Sequence, residues 1–422
     1  MKRLSIEEFR TGVIERTEFE DMDTVRRIIA EVRNRGDAAL REFTSKFDRV
    51  SVGSLRIERE EIERAASSVD PEIASAMNEA AANIRCFARA QLEAFKNFEV
   101  EVRPGLFAGQ TIVPIQRVGI YVPGGRYPLI SSLLMGALPA AVAGVKEIAV
   151  CTPPGPGGKI PPAVLSAAKL CGVDEVFRVG GAQAVAAMAY GTESIPKVDK
   201  IVGPGNAYVT AAKRCVYGDV GIDFVAGPTE LMVIADRTAT PAFIAADLIA
   251  QAEHDVRATA ILVTNSEELA EKVEGKVYEF LEKVRTGAVA RESLEARGTV
   301  VLVSSMDQAV ELANERAPEH LELFTADAEH LAKRLRNFGS LFIGGWAAEA
   351  LGDYSSGLNH ILPTQGAARY TGGLGVRDFL KVQTTLRVDE KGLEAAGQPA
   401  SILARVEGLD GHALSVEVRR AG

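Results

Sequence analysis

The feature that most limits the fold of this 422-residue chain is an alternation beginning near Ile112. Short β-rich runs, "RVGIYVPGG", "EIAVCTPP", "EVFRVGG" and "KIVGPGN", each end in glycine or proline. They lead into alanine-rich helical stretches, "SSLLMGALPAAVAGV", "PPAVLSAAKLCG", "AQAVAAMAYG" and "AYVTAAKRCVYG". Apolar runs alternating in this way with helices are the pattern of parallel βα units. After "DFVAGPTELMVIAD" a second series follows, with strands in "TAILVTN", "GTVVLVS", "LELFTAD" and "GSLFIGG". The pattern predicts an α/β chain of two consecutive Rossmann-like units with parallel sheets, over 112–229 and 230–374.

Residues 1–111 read as helix. "MDTVRRIIAEVRNRGDAALREFTSKFD" has apolar residues at helical spacing, broken at Gly36, and "PEIASAMNEAAANIRCFARAQL" opens with a proline after Asp70. This region is expected to pack on the second α/β unit. Residues 375–422 form a charged, helical tail that reads as a separate small element.

The net charge is −9, from 48 basic and 57 acidic residues, and no clustered basic stripe occurs, so nucleic acid is not an expected partner. The start, "MKRLSIEEFR", has no apolar signal-peptide core. The longest apolar run, "LLMGALPAAVAGV", is too short to span a bilayer and carries Pro139. A cytoplasmic protein with no membrane partner is expected. Cys86, Cys151, Cys171 and Cys215 are widely spaced with no C-x-x-C pair, which fits small buried hydrophobes better than zinc or disulfide chemistry.

Three glycine clusters, "VPGGRYP", "VGGAQAV" and "VGPGNAYV", fall between a strand and a helix start. There, free backbone N–H groups and the helix dipole favour a nucleotide or another anion. None matches G-x-G-x-x-G. Of the five histidines, His330 sits on a charged helix and reads as solvated surface. Gln251 and His254 stand at i and i+3 on one helical face; that spacing fits a hydrogen-bonded helix end as well as a pair of metal ligands. Asp353 and His360 share the loop "ALGDYSSGLNHILPT", and Glu407 and His412 flank a glycine turn in "EGLDGHALS". One Gln, one Asp and two His would suit a divalent ion such as zinc. Glu319 and His320, adjacent at a strand start in "ERAPEHLELFT", suit general acid–base chemistry.

Taken together, "GPGNAYVTAAK", "AGPTE", "QAEHD", "APEHLEL", "GDYSSGLNHILPT" and "EGLDGH" resemble the histidinol dehydrogenase family over nearly the whole chain and in the family's order. The resemblance implies oxidation of L-histidinol to L-histidine, the last step of histidine biosynthesis, in two steps with two NAD+ and one zinc. It implies Gln251, His254, Asp353 and His412 as zinc ligands, the last given to the partner subunit by an exchanged tail in an intertwined homodimer. Glu319 would activate water for the second oxidation and His320 would be the base of the first. Tyr121, Gln183 and Asn206 match cofactor contacts. Thr229, Tyr354, His360 and Glu407 match substrate contacts, alongside Gln251, His254, His320, Asp353 and His412.

Departures from the family pattern bear on the substrate. Arg126, in "GGRYPLISS", stands where a small residue is usual, and Thr229 replaces a common serine. "ARYTGGLGVRDFLKVQT" looks more like paralogues that oxidise a dihydroxypropane sulfonate, and an arginine suits an oxyanion. Alternatives to histidinol are therefore a small anionic diol such as 2,3-dihydroxypropane-1-sulfonate, contacted by Arg126, or no catalysis at all in a metal- or nucleotide-binding relative.

Overall fold

The computed structural model describes residues 1–12, 22–124 and 128–421. Arg126, the residue on which the anionic-substrate alternative turned, lies outside them.

Two parallel sheets carry the architecture. The first has five strands in the spatial order Glu175–Arg178, Glu147–Thr152, Arg117–Tyr121, Lys200–Val202, Gly221–Ile222. The second has six, in the order Lys2–Leu4, Thr299–Leu302, Thr259–Thr264, Glu230–Ala235, His320–Phe324, Ser340–Ile343. Strands covered on both faces lose the usual in–out alternation. Accordingly "ELMVIA" at Glu230–Ala235 is buried at all six positions. Two apolar clusters lie against the first sheet, one containing Ile120 and Val150 and the other Ala149 and Ile201. The second sheet is sandwiched in the same way, with Val233 and Leu262 on one side and Met232 and Val263 on the other.

The strand order of the first sheet reverses between Arg117–Tyr121 and Lys200–Val202, so a crevice opens beyond their carboxyl ends. Gly203, just after Lys200–Val202, has φ +118, and a Cβ there would lie 2.2 Å from the Tyr121 carbonyl oxygen. The turn is locked on both sides: Gly203 N donates to Asp223 Oδ2 at 2.8 Å, and Lys213 Nζ donates to the Gly203 carbonyl at 3.0 Å. Lys213 and Asp223 are themselves a buried ion pair.

The N-terminal helices pack on the first unit, which corrects the expectation that they cover the second. Met22–Arg35 lies on Gly181–Tyr190 and Ala207–Val216, Arg59–Ser67 on Pro162–Cys171, and Pro71–Leu92 on Ile130–Ala143. The reason is side-chain size. Helices such as "GAQAVAAMAY" offer mostly methyl groups, and Val25, Ile28, Ile29 and Val32 of Met22–Arg35 complete the core over them. The strand Lys2–Leu4 and the short helix Ile6–Thr11 join the second unit.

A third, antiparallel sheet was not anticipated. Phe98–Arg103 and Leu106–Pro114 form a hairpin, and Leu380–Val388 pairs with Leu106–Pro114 along its whole length. The region read as N-terminal helices thus supplies two strands of this sheet, and the region read as helical tail supplies the third. The tail continues into the helices Glu390–Val406 and Asp410–Arg420, packed on each other. Much of this appendage is apolar yet uncovered, with Leu386 71% and Val406 80% exposed. Among the described residues, no helix is long and apolar enough to cross a membrane.

Replacing Gly203 by Ala forces a Cβ into backbone at a left-handed φ. Gly203→Ala should lose about 2 kcal/mol or more of stability, read as an earlier denaturation midpoint. A midpoint equal to that of the unaltered protein would show that the turn relaxes without cost.

Candidate active site

Parallel pairing sets the site. His320 is in register with Leu231, which brings the starts of the strands His320–Phe324 and Glu230–Ala235 side by side. The helix Pro241–Ala252 runs back against the second sheet, so Gln251 at its end and His254 just beyond it return to the strand starts. The short helix Glu349–Tyr354 offers Glu349 and Asp353 four residues apart, on one face. Its first turn is held by Glu322, whose Oε1 accepts from Glu349 N at 3.0 Å.

A chain of hydrogen bonds orients the first group. Gln251 Nε2 donates to Thr229 Oγ1 at 2.9 Å, and Thr229 Oγ1 donates to Glu319 Oε2 at 2.6 Å. Glu230 N donates to the same carboxyl oxygen at 2.9 Å. Because the amide nitrogen of Gln251 is engaged, its Oε1 is turned away, and that atom is buried with no partner. Glu230 itself is neutralised by Arg316, whose Nε and Nη2 lie 3.1 and 2.6 Å from its Oε2.

Asp353 stands between two imidazoles. Its Oδ2 is 3.8 Å from His254 Nε2 and its Oδ1 3.7 Å from His320 Nε2. On the other side of the His320 ring, Nδ1 is 3.3 Å from Glu349 Oε1 and 3.8 Å from Glu319 Oε2. The ligand-type atoms of His320, Glu349 and Asp353 all fall within 4.8 Å of one another. His360 ties the two units together: its Nδ1 is 3.1 Å from the Asp353 carbonyl oxygen, and its Nε2 is 3.1 Å from Oγ of Ser132 on the helix Ile130–Ala143.

Burial governs the charge of the group. Loss of water holds the Glu319 and Glu349 carboxyls well above the usual range and pushes Asp353 up to about 7. The same loss lowers His320 to about 3 and His360 to about 4. Both ring nitrogens of His320, both carboxyl oxygens of Glu349, Asp353 Oδ1 and Gln251 Oε1 are buried without a hydrogen-bond partner. Buried polar atoms left so are rare and costly. Oxygen and nitrogen acceptors converging without donors suit a cation, and the N/O set of Gln251, His254 and Asp353 suits zinc. His254, 43% exposed at its side chain, marks the open side of the group.

Gln251, His254, Glu319, His320, Asp353 and His360 therefore gather with Thr229, and Tyr354 lies exposed beside them. Glu407 and His412 do not join within one chain. Both are exposed on the tail, which packs on itself and on the hairpin. Three residues with a place at the site were not singled out in the sequence: Glu349, Ser132 and Glu322. For Glu349 a signal existed in its i, i+4 spacing to Asp353, whereas Ser132 is brought in only by the docking of the two units.

Tyr121, Gln183 and Asn206 line one cleft of about 1000 Å³ at the carboxyl ends of the first sheet, together with Pro123, Gly181 and Tyr208. Tyr121 Oη accepts from Gly181 N at 3.1 Å, and the Asn206 side chain caps the helix Ala207–Val216 by accepting from Tyr208 N and Val209 N.

Removing the Thr229 hydroxyl should leave the Gln251 amide without its acceptor and the Glu319 carboxyl with only the Glu230 N–H as donor inside the protein. Thr229→Val is expected to destabilise by about 1–3 kcal/mol and Thr229→Ser far less, compared by denaturant midpoints. Equal midpoints for the two variants would mean that the hydroxyl holds nothing in place.

Residues 14–420 match the histidinol dehydrogenase family profile. The histidinol dehydrogenase of Methanothermobacter thermautotrophicus is 49% identical over 392 residues, covering 93% of this chain and 92% of that protein. That of Geobacillus kaustophilus is 46% identical over 421 residues, covering 99% of each. The crystal structure of histidinol dehydrogenase from Elizabethkingia anophelis superposes with a TM-score of 0.94 at 36% identity, over 99% of this chain and 98% of that one. The chain belongs to the histidinol dehydrogenase family, and is an NAD-dependent oxidoreductase of that type.

Proposed function

We propose that this protein oxidises L-histidinol to L-histidine, through the aldehyde level, in two NAD-dependent steps at a zinc site formed by Gln251, His254, Asp353 and His412 of the partner subunit. The observation that carries the reading is the convergence of His254 and Asp353, 3.8 Å apart, with the buried, unpartnered Oε1 of Gln251. When bound, zinc would grip the substrate's nitrogens and NAD would take up the hydride.

The chain's own residues supply the proton chemistry. Burial keeps the His320 imidazole neutral at working pH, so one ring nitrogen has a lone pair free to accept the hydroxyl proton during the first oxidation. Glu319 is tethered at Oε2 by Thr229 and Glu230, which leaves its other oxygen to orient and deprotonate water for the second. Its raised pKa suits it to holding a proton, and a cation bound nearby would bring its ionised form into range. Tyr121, Gln183 and Asn206 would bind NAD in the adjoining cleft. Tyr354, His360 and Glu407 would hold the substrate, Glu407 from the exchanged tail.

The surroundings favour a cationic substrate over an anionic diol. Glu319, Glu349 and Asp353 place three carboxyl groups around His320, and no described lysine or arginine is paired with Glu349 or Asp353. Ionised, these carboxyls would repel a sulfonate, whereas the cation of an amino alcohol would balance their charge and favour that ionisation. The relatives named above carry the histidinol dehydrogenase name as well.

The direct test is NADH formation with L-histidinol; an inert wild-type enzyme would sink the reading. Within it, His320→Asn should slow alcohol oxidation about 10²-fold or more, while Glu319→Gln should mainly slow oxidation of the supplied aldehyde. Normal aldehyde oxidation by Glu319→Gln would take the water-activating role away from that residue.

The uncovered apolar surface of the tail supports an exchanged homodimer. His254→Asn and His412→Asn proteins should each be depleted of zinc and inactive. After subunit exchange, about a quarter of wild-type activity should return, because half of randomly re-formed dimers are mixed and each has one intact site. No recovery after verified exchange would place His412 in its own chain's site.

A further inference from the structure

The cofactor cleft has one wall that the first α/β unit does not supply. A turn of π-helix, Thr44–Asp48, ends at Arg49 in left-handed backbone with φ 59 and ψ 31. Both features are uncommon and concentrate at functional sites. Together they set Phe47, Asp48, Arg49 and Val50 along the cleft, opposite residues from the strand ends of the first sheet. Asp48 is the one acid and Arg49 the one base among the described residues lining it. Asp48 Oδ2 is buried without a hydrogen-bond partner, and burial pushes the carboxyl up to about 6. Phe47 and Tyr208, both nearly half exposed, give the same cleft flat apolar faces of the kind a purine covers.

A buried carboxyl oxygen without a donor is destabilising unless a ligand supplies one. In dinucleotide-binding α/β units the donor is a ribose hydroxyl, and the acid that receives it stands after the second strand of the unit. Here the second strand, Glu147–Thr152, runs into "PPGPGG", which contains no acid. The carboxyl facing the cleft comes instead from the N-terminal layer docked on the first unit.

We propose that Asp48 accepts hydrogen bonds from the adenosine ribose hydroxyls of the dinucleotide and thereby selects NAD over its 2′-phosphorylated form. The proposal rests on the NAD-dependent reading of this cleft. A 2′-phosphate would meet the carboxylate. With that charge removed it would meet the neighbouring guanidinium of Arg49, which makes no ion pair with a described residue.

The test compares wild type, Asp48→Ala and Asp48→Asn with NAD, NADP and 2′-deoxy-NAD. Asp48→Ala should raise KM for NAD about tenfold or more, well beyond any fall in kcat. Asp48→Asn, of the same shape without the charge, should shift the kcat/KM preference toward NADP by a similar factor. Wild type should discriminate against 2′-deoxy-NAD and Asp48→Ala should not. An unchanged NAD:NADP preference in Asp48→Asn would overturn the proposal, as would equal discrimination against 2′-deoxy-NAD in wild type and Asp48→Ala. A wild type that reduces no dinucleotide would remove the cofactor reading itself, and the proposal with it.

Discussion

The hydrogen bond from Thr229 to Glu319 is the contact on which the rest of the site depends. It joins the segment preceding one strand to the segment preceding its neighbour, and it exists because Glu230–Ala235 and His320–Phe324 run parallel in register. From it follow the rotamer of Gln251, the inward aim of that amide's oxygen and the tether on Glu319. The surrounding acids cannot all be ionised without water, so a cation is the simplest partner that satisfies them together.

Two units of the same general build contribute opposite edges. The first opens its cleft at the carboxyl ends of its strands, near Tyr121 and Gly203. The second gathers Thr229, Glu319 and His320 at the amino ends of its strands. Ser132 on the first unit meets His360 on the second, so the two edges face each other across one junction.

The alternation of buried strands and alanine-rich helices made both parallel sheets legible, because burial on two faces leaves a continuous apolar run. The Gln251 and His254 spacing was legible for a similar reason, since a helix face is written at fixed intervals. What failed was long-range. Phe98, Val100 and Val102 alternate on a strand whose apolar side is uncovered in the single chain, and that pattern was lost among helices. The docking of Met22–Arg35 on the first unit depends on the small size of side chains more than a hundred residues away. Asp48 and Glu349 carry ordinary acidic letters; only burial without partners sets them apart.

The strand Lys2–Leu4 closes the free edge of the second sheet by pairing with Thr299–Val301. Chains are made from the amino end, so this strand has no seat until about seven-tenths of the protein has emerged, and the sheet edge it covers stays open meanwhile. Its charged side chains, Lys2 and Arg3, are of the kind that discourage mispairing at such an edge. A fusion placed ahead of Met1 would extend an edge strand, and its composition would matter to refolding in a way that a fusion after the tail would not share.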